Sequence, residues 1–159
     1  MTDAPLFRIR EMALHERPVR LRMPFRFGVV TLTECPQAFA HVRIELPDGR
    51  SAWGGAAELM APKWFDKNLA LSNDDNFDQL REVLRLSREA YLADAAPDSA
   101  FGHFARHHDG VQGAGAARGF NPLLASYGPA LIDRAVLDAL FTICASRRAR
   151  STSPLASSA

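Results

Sequence analysis

The strictest pattern in the sequence is the alternation of side chains from Ala38 to Leu46. Every second residue in this segment is apolar, and the residues between them are Phe, His, Arg and Glu. Period-two alternation is typical of a strand with one buried face. Asp48-Gly49 follows, and this pair tolerates the positive φ that tight hairpins need. Residues Ser51–Gly55 are therefore predicted to return as an antiparallel strand.

Two earlier segments also have strand character. Leu6–Leu14 is a plausible strand, and Val19–Met23 alternates between apolar and basic residues. A turn is predicted at Pro24–Gly28. Together with the pair that follows, these segments predict a three-stranded antiparallel meander over residues 6–57, with one polar face.

The rest of the chain predicts helices. Ser72 or Asn73 is a suitable N-cap, and the acidic residues that follow suit the positive end of a helix dipole. A shorter helical segment is predicted from Pro97 to His107. The apolar residues of the first helix recur at helical spacing and form one stripe: Phe77, Leu80, Leu84 and Tyr91.

A flexible connector is predicted over the glycine- and alanine-rich stretch Gly110–Gly119. Asn121-Pro122 begins another helical stretch, and Pro129 suits the first turn of a helix. Residues 130–145 are strongly helical in pattern. The predicted fold class is therefore α+β, a three-stranded antiparallel meander followed by a small helical bundle.

Length and charge exclude several classes of protein. The 159 residues fit one domain and cannot hold a complete (β/α)₈ barrel, which needs about 250. The net charge of +1 gives no field for nucleic acid or an anionic membrane. Three arginines lie in a Ser-rich stretch at residues 147–159, which is predicted to be a disordered basic tail.

The two cysteines, Cys35 and Cys144, fit no metal-binding spacing. They could pair in principle, but reduced thiols in a cytoplasmic protein are the favoured interpretation. The residues from Met1 to Pro5 show no start of a signal peptide, and no apolar run approaches the ~20 residues that span a bilayer.

Motifs for catalysis and metal binding are weak. His103 and His107 would share one helix face, with His108 and Asp109 beside them, but no third spaced ligand completes a zinc site. The favoured interpretation is a solvated, partly packed helix end. Ser126 lacks the preceding glycine of a nucleophile elbow. No residue is therefore predicted to be catalytic or to bind a metal.

Two turn regions remain as candidates for ligand binding. The first is Phe25–Thr31, whose two aromatic residues and one arginine could bury an apolar group and pair with a carboxylate. The second is Trp53–Met60, whose small residues permit close approach of the backbone. Both are also compatible with ordinary turn and core segments.

These regions carry a resemblance to a known family. The segments Arg17–Gly28, Ala40–Arg50, Ala52–Glu58 and Ala130–Leu140 resemble, in order and spacing, the N-terminal capping domain of the enolase superfamily. The resemblance is to the mandelate racemase/muconate lactonizing branch. Two departures are Gly55, where relatives often have Glu, and Leu137, where many have Trp.

The resemblance implies two substrate-specificity loops over the mouth of a catalytic barrel. Intact members abstract the proton α to a carboxylate with the help of magnesium, as racemases, dehydratases or cycloisomerases, and their substrates are small carboxylates. The residues that match the two loops are Phe25, Arg26, Phe27, Gly28, Val29, Thr31, Gly54, Gly55 and Glu58.

The catalytic residues of that family have no counterpart in this sequence. No lysine follows Lys67 and no acidic residue follows Asp138, whereas the family's Lys-x-Lys base and metal-binding carboxylates lie on later barrel strands. We therefore expect a capping domain without its barrel, inactive by itself, from a truncated or frameshifted gene. The alternative is a stand-alone module that binds a small acid or a partner.

The expected organisation has three parts. Residues 1–129 form the capping domain, with helices over 72–129, and residues 130–146 form the first helix towards the missing barrel. Residues 147–159 are the tail. Because the apolar side of residues 131–143 would pack on a barrel, we expect it to be exposed here and to promote self-association.

Overall fold

Three long strands form one antiparallel sheet in the order β1-β2-β3. A computed structural model describes residues 4–28 and 30–151, with side chains described through Ala145. The strands are β1 (Arg8–Phe27), β2 (Val30–Glu45) and β3 (Ser51–Leu59). The predicted meander is confirmed, and β2 with its strict alternation is the central strand.

Strand β1 contains both of the strands predicted before Ala38, and also most of the predicted turn. Phe25 pairs with Leu32 and Phe27 pairs with Val30, after a register irregularity that follows Arg20. The turn predicted at Pro24–Gly28 is therefore wrong, because pairing with β2 continues to Phe27. Only residues 28 and 29 connect the strands, and Gly28 has a φ of +52°, as a two-residue hairpin requires.

The distal half of this hairpin extends beyond β3. Strand β3 pairs with β2 only over residues 37–45. Helix α1 (Asn73–Ala93) packs against the proximal half of β1: Arg81 forms an ion pair with Glu16 at 2.6 Å, and Arg88 donates from Nε to the Met12 carbonyl at 3.0 Å. The tip of the hairpin contacts Trp64 through the Phe27 ring.

The helix starts follow the local sequence. The Ser72 hydroxyl accepts a hydrogen bond from the Asp75 amide at 3.1 Å, and the Asp75 carboxylate accepts from the Ser72 amide at 2.7 Å. This capping box starts α1 as predicted. Ser99 caps α2 (Ala100–Ala116), and Asn121 caps α3 (Pro122–Ala125), a single turn. Helix α4 (Tyr127–Ser151) follows directly.

The flexible connector predicted over Gly110–Gly119 is wrong over most of its length. Helix α2 continues to Ala116, although three of its residues there are glycines. Packing overrides the poor helix propensity of glycine. Val111 and Gly115 are buried, and a Cβ at Gly115 would lie 2.9 Å from the Ala125 Cβ. The turn itself falls at Gly119, which has a φ of +76°.

Helix α4 covers the inner face of the sheet, in contact with β3 and β2. The expectation that its apolar face is exposed is wrong, because this face packs on the chain's own sheet and not on a barrel. Leu137 and Phe141, the latter 73% exposed, lie on the outer side. The buried residues of α4 are Leu131, Ile132, Ala135, Val136, Ala139 and Ile143.

Helix α4 also continues to Ser151, into the start of the segment predicted as a tail. Residues 152–159 lie outside the described part of the chain, so the prediction of a disordered tail is untested there. Cys35 is buried, Cys144 is exposed, and both are free thiols. Across residues 4–28 and 30–151, no helix combines the length and apolar character needed to cross a membrane.

Candidate functional site

An apolar cleft of about 670 Å³ lies at the tip of the β1–β2 hairpin. The hairpin contributes three residues to it, the segment between β3 and α1 contributes four, and α3 contributes one. The volume is within the range of about 300–1,000 Å³ that is typical of small-molecule sites. The lining residues are Phe27, Gly28, Val30, Lys63, Trp64, Lys67, Leu69 and Leu123.

An aromatic cluster forms one wall of this cleft. The Phe27 ring meets the Trp64 ring edge to face, with ring centroids 5.4 Å apart and an interplanar angle of 76°. Phe25 lies beside Phe27 at 5.6 Å. Because side chains alternate along a strand, these two phenylalanines share a face and Arg26 lies on the other face. The structure therefore separates the predicted arginine from the predicted aromatic residues.

Two lysines supply positive charge at the cleft where Arg26 does not. Lys63 has a left-handed backbone with a φ of +61°. Its Nζ donates to the Asn68 carbonyl at 3.1 Å and to the Leu71 carbonyl, and its amide donates to Asn76 Oδ1 at 3.1 Å. Lys63 thus stabilises the conformation of the segment between β3 and α1. Lys67 is the second cation at the cleft.

The other residues predicted for the first loop lie near the cleft but do not line it. Phe25 is exposed, and Thr31 is exposed and pairs with Arg26 across the hairpin. Val29 lies outside the described residues. Of the first predicted region, Phe25–Thr31, the residues that line the cleft are Phe27, Gly28 and Val30.

The second predicted loop is a strand that lies under helix α4. A Cβ at Gly54 would lie 2.2 Å from the Ala135 carbonyl oxygen and from the Ala139 amide nitrogen. The close approach of backbone expected for this region is therefore real, and the partner is a helix of the same chain. The Gly55 amide donates to Asp138 Oδ2 at 2.8 Å, so this amide of the edge strand β3 has a hydrogen-bond partner.

Glu58 is the one charged residue of that second region. It forms an ion pair with Arg134 of α4 at 2.9 Å. The pair lines a smaller cavity of about 280 Å³, together with Ser126 and Tyr127. Burial raises the pKa of the Tyr127 hydroxyl, which has no hydrogen-bond partner among the described residues. Leu123 borders both this cavity and the larger cleft.

His103 and His107 of α2 are buried rather than solvated, so that part of the sequence interpretation is wrong, whereas His108 is partly exposed. His103 and His107 share one face of the helix, as predicted, and both point into the protein. The His103 Nε2 donates to the Phe7 carbonyl at 2.9 Å. Burial lowers the pKa of His107. Among residues 4–28 and 30–151, no three His, Cys, Asp or Glu side chains group as a metal site.

A buried polar pair joins α1 to α4. The Tyr91 hydroxyl donates to Asp133 Oδ1 at 3.0 Å. Burial raises the pKa of Asp133 to about 6, because desolvation penalises the charged carboxylate more than the hydrogen bond from Tyr91 stabilises it. Burial also raises the pKa of Tyr91. This pair lies in the helical layer and does not line the cleft.

Sequence reasoning missed Leu123 of α3 and the four cleft residues in the segment between β3 and α1, which are Lys63, Trp64, Lys67 and Leu69. The sequence did carry a signal: the five residues Lys63–Lys67 include two lysines and two aromatic residues, Trp64 and Phe65, and have no strand or helix period. Aromatic side chains in irregular segments are candidates for binding, since rigid scaffolds present such loops.

No protein-family profile matches the chain, and no curated protein matches it. Solved structures do. An enolase from alpha proteobacterium BAL199, with bound magnesium, matches with a TM-score of 0.52 at 14% sequence identity. The match covers 87% of this chain and 32% of that one.

Two further solved structures match less closely. One is a substrate-liganded complex of the L-Ala-D/L-Glu epimerase from Bacillus subtilis, with 20% identity, a TM-score of 0.43, and coverage of 86% of this chain and 32% of that one. The other, from Sorangium cellulosum, is assigned as a mandelate racemase/muconate lactonizing enzyme. It has 25% identity, a TM-score of 0.38, and coverage of 84% and 31%.

The chain spans about a third of the length of the enolase structure that it matches. The matched elements are the three-stranded sheet and the helices that follow it. The chain therefore has the fold of the N-terminal capping domain of the enolase superfamily, as its sequence resemblance implied.

Proposed function

We propose that this domain caps the active site of a cytoplasmic enolase-superfamily enzyme that removes the proton α to a carboxylate. The observation that carries the proposal is the fold match to an enolase over 87% of the chain. The outcome of the reaction would be racemisation, dehydration or cycloisomerisation of a small carboxylic acid. The base that removes the proton would belong to a catalytic barrel, which is not among the described residues.

In the proposed enzyme, the two predicted loops would have different tasks. The hairpin tip with Phe27 and Gly28 borders an open cleft, so this region would contact substrate and exclude water above a barrel mouth. Gly54 and Gly55 are occupied by contacts with α4. They would support the cap and not touch substrate. Glu58 and Arg134, which line the smaller cavity, would form its inner rim.

Magnesium has no site among the described residues. A magnesium ion needs several oxygen ligands in octahedral geometry, and no acidic residues of the described ranges group in that way. In the proposed enzyme the metal would belong to the barrel, where it would stabilise the enediolate. The contribution of this chain would be to bind and orient the acid.

Reconstitution tests the proposal. The DNA around the gene is read in every frame for a barrel with a Lys-x-Lys motif and spaced carboxylates, and that barrel is expressed and mixed with this chain. Proton NMR then follows exchange of the α-proton for deuterium on a panel of carboxylates with magnesium present. We expect exchange by the mixture, and only background exchange by either part or after addition of EDTA.

Two results would contradict the proposal. One is that no reading frame near the gene encodes such a barrel. The other is that the two parts form a complex in sedimentation velocity but catalyse no exchange on any acid tested. The Phe27→Ala variant alters the cleft and leaves the contact between β3 and α4 intact, so its mixture with the barrel should still form the complex but exchange the α-proton more slowly.

A second candidate function is a stand-alone binding module. The observation in its favour is that α4 buries its apolar face on the chain's own sheet, so the core is closed without a barrel. A cooperative thermal transition and well-dispersed amide resonances in the isolated chain would support this candidate. Aggregation or a broad transition would favour the cap of a larger enzyme.

A further inference from the structure

The walls of the cleft at the hairpin tip are apolar and partly open to solvent. Trp64, Leu69 and Leu123 are exposed by 51%, 73% and 54% of their surface. Large apolar side chains that are exposed side by side mark interaction or ligand sites. A ligand that fills the cleft against the Phe27 and Trp64 rings would cover these side chains, and the apolar part of that ligand would supply most of the affinity.

One wall is fixed before any ligand binds. Lys63 donates to carbonyls across its own loop, and Asp66 accepts from the Asn68 amide at 3.0 Å and from Gln79 Nε2 at 3.0 Å. These bonds tie the segment between β3 and α1 to the start of α1. A site that is already ordered loses less conformational entropy when it binds its ligand.

Lys67 is the charged residue of the cleft that is available to a ligand. The ammonium of Lys63 is satisfied by backbone carbonyls, and the carboxylate of Asp66 is engaged with Asn68 and Gln79. Among the described side chains, none forms an ion pair or hydrogen bond with Lys67, which is exposed and lines the cleft. An ammonium beside apolar walls favours an anion on an apolar stem.

We propose that the cleft binds an amphipathic acid, with its apolar body against the wall formed by Phe27 and Trp64 and its anionic group on Lys67. This rests on the proposed function in one respect, namely that the bound acid is the substrate. The substrate would then carry a second acidic group, remote from the reacting carboxylate, at the end of an apolar spacer. Lys67 would be a specificity-determining residue that lies outside both predicted loops.

Binding is measured on the isolated chain through the fluorescence of Trp64. Trp53, the only other tryptophan, lies in β3 and outside the cleft, so it is replaced in the background variant Trp53→Phe. The probes are 4-phenylbutyrate and the uncharged 4-phenylbutan-1-ol. We expect both to change the fluorescence. The acid should bind about three- to fivefold more tightly, as expected for one exposed ion pair, and added salt should reduce that difference.

Variants separate the charge from the apolar walls. Lys67→Met should remove the preference for the acid, and Lys67→Arg should keep it. Arg22→Met, which removes an exposed cation on the hairpin outside the cleft, is the matched control and should leave the preference unchanged. Leu69→Ala should weaken the binding of the acid and of the alcohol to the same extent, by about fivefold.

Three results would overturn the inference. They are equal binding of the acid and the alcohol, equal effects of Lys67→Met and Arg22→Met, and no fluorescence change with either probe up to its solubility limit. The inference and the proposed function can also fail separately. Probe binding by the isolated chain, without α-proton exchange in the reconstituted mixture, would contradict the proposed enzymatic function only. If Lys67→Met leaves the exchange of dicarboxylic acids unchanged, the proposed role of Lys67 in substrate specificity is contradicted.

Discussion

The two glycine-containing regions that resemble specificity loops lie in opposite environments. Gly28 occupies the hairpin tip, where nothing lies within 4 Å of the position of a Cβ, and its positive φ makes the turn. Gly54 lies inside a strand, where a Cβ would clash with the backbone of α4 at 2.2 Å. The first glycine shapes an open rim, and the second permits two layers to touch.

This difference teaches how the domain combines a stable core with an adaptable rim. Helix α4 is central to the core, since it contacts β3, β2 and α1 and its inward-facing residues belong to the buried cluster. The cleft at the hairpin tip is formed by side chains that are largely exposed. Substitutions at the rim are therefore expected to alter binding, and substitutions under α4 are expected to alter stability. Four measurements test that division.

The largest effect is expected for the buried face of α4. Ile132→Ala should lower the free energy of unfolding by about 3–5 kcal/mol, because Ile132 is fully buried and the cavity cannot collapse completely. Phe141→Ala on the outer face of the same helix should change it by less than about 0.5 kcal/mol. Urea titration followed by circular dichroism gives both values. Equal losses of stability in the two variants would show that this face of α4 does not pack on the sheet.

The next effect compares neighbouring glycines with the same substitution. Gly54→Ala should cost about 2–3 kcal/mol, because the new methyl group forces α4 away from β3. Gly55→Ala should be nearly neutral. Its Cβ would meet only the movable His41 side chain, at 3.3 Å, and its amide could still donate to Asp138. Similar losses of stability in both variants, measured by thermal unfolding, would contradict the comparison.

A pH titration sharpens the buried side of the comparison. The pKa of Asp133 is about 6 in the folded protein and about 3.9 in an unfolded chain, so the folded state binds more protons between these values. The stabilising contribution of Asp133 is therefore present below pH 4 and is lost as the pH rises through 6.

Asp133→Asn should remove that loss, since the amide oxygen can still accept from Tyr91. We expect the variant to gain about 1–2 kcal/mol relative to the parent between pH 4 and pH 7. Urea titrations at several pH values measure the difference. Asp109→Asn, at an exposed position of α2, is the control and should show no such trend. A gain at low pH instead of high pH would reverse the sign and refute the argument.

The smallest effect on stability is expected at the rim. Phe27→Ala should cost about 1 kcal/mol or less, since Phe27 lies beside the open cleft and its ring contacts are with exposed aromatic residues. The same variant should shift the Trp64 emission, because it removes the ring that meets the indole edge to face. A loss of several kcal/mol would mean that the hairpin tip belongs to the core.

Local patterns were enough to predict much of the fold. The alternation in Ala38–Leu46, the Asp48-Gly49 turn and the Ser72 cap depend on the backbone and on near neighbours, so sequence reasoning identified them correctly. The ends of β1 and β3 could not be found in this way. Whether Pro24–Phe27 is turn or strand depends on pairing with Val30–Leu32, a contact across the hairpin.

The cleft was only half predictable. Phe27 and Gly28 were identified from the aromatic turn and from the resemblance, but their partners Lys63, Trp64 and Lys67 lie more than 30 residues further along the chain. No local period marks that segment, because its conformation is held by hydrogen bonds from Lys63 to its own loop and to Asn76. Sequence reasoning therefore selected Arg26, the nearest cation, although strand alternation places it on the opposite face.

The sequence by itself determined the α+β class, the central strand, the helix caps and the resemblance to a capping domain, since these follow from local periodicity, turn chemistry and the order of segments. The tertiary structure decided that Gly110–Ala116 is helical, that Gly54 is a packing contact, and that α4 buries its own apolar face. It also placed both lysines, Lys63 and Lys67, at the cleft. These features depend on long-range contacts, because burial and pairing partners are set by where distant segments meet.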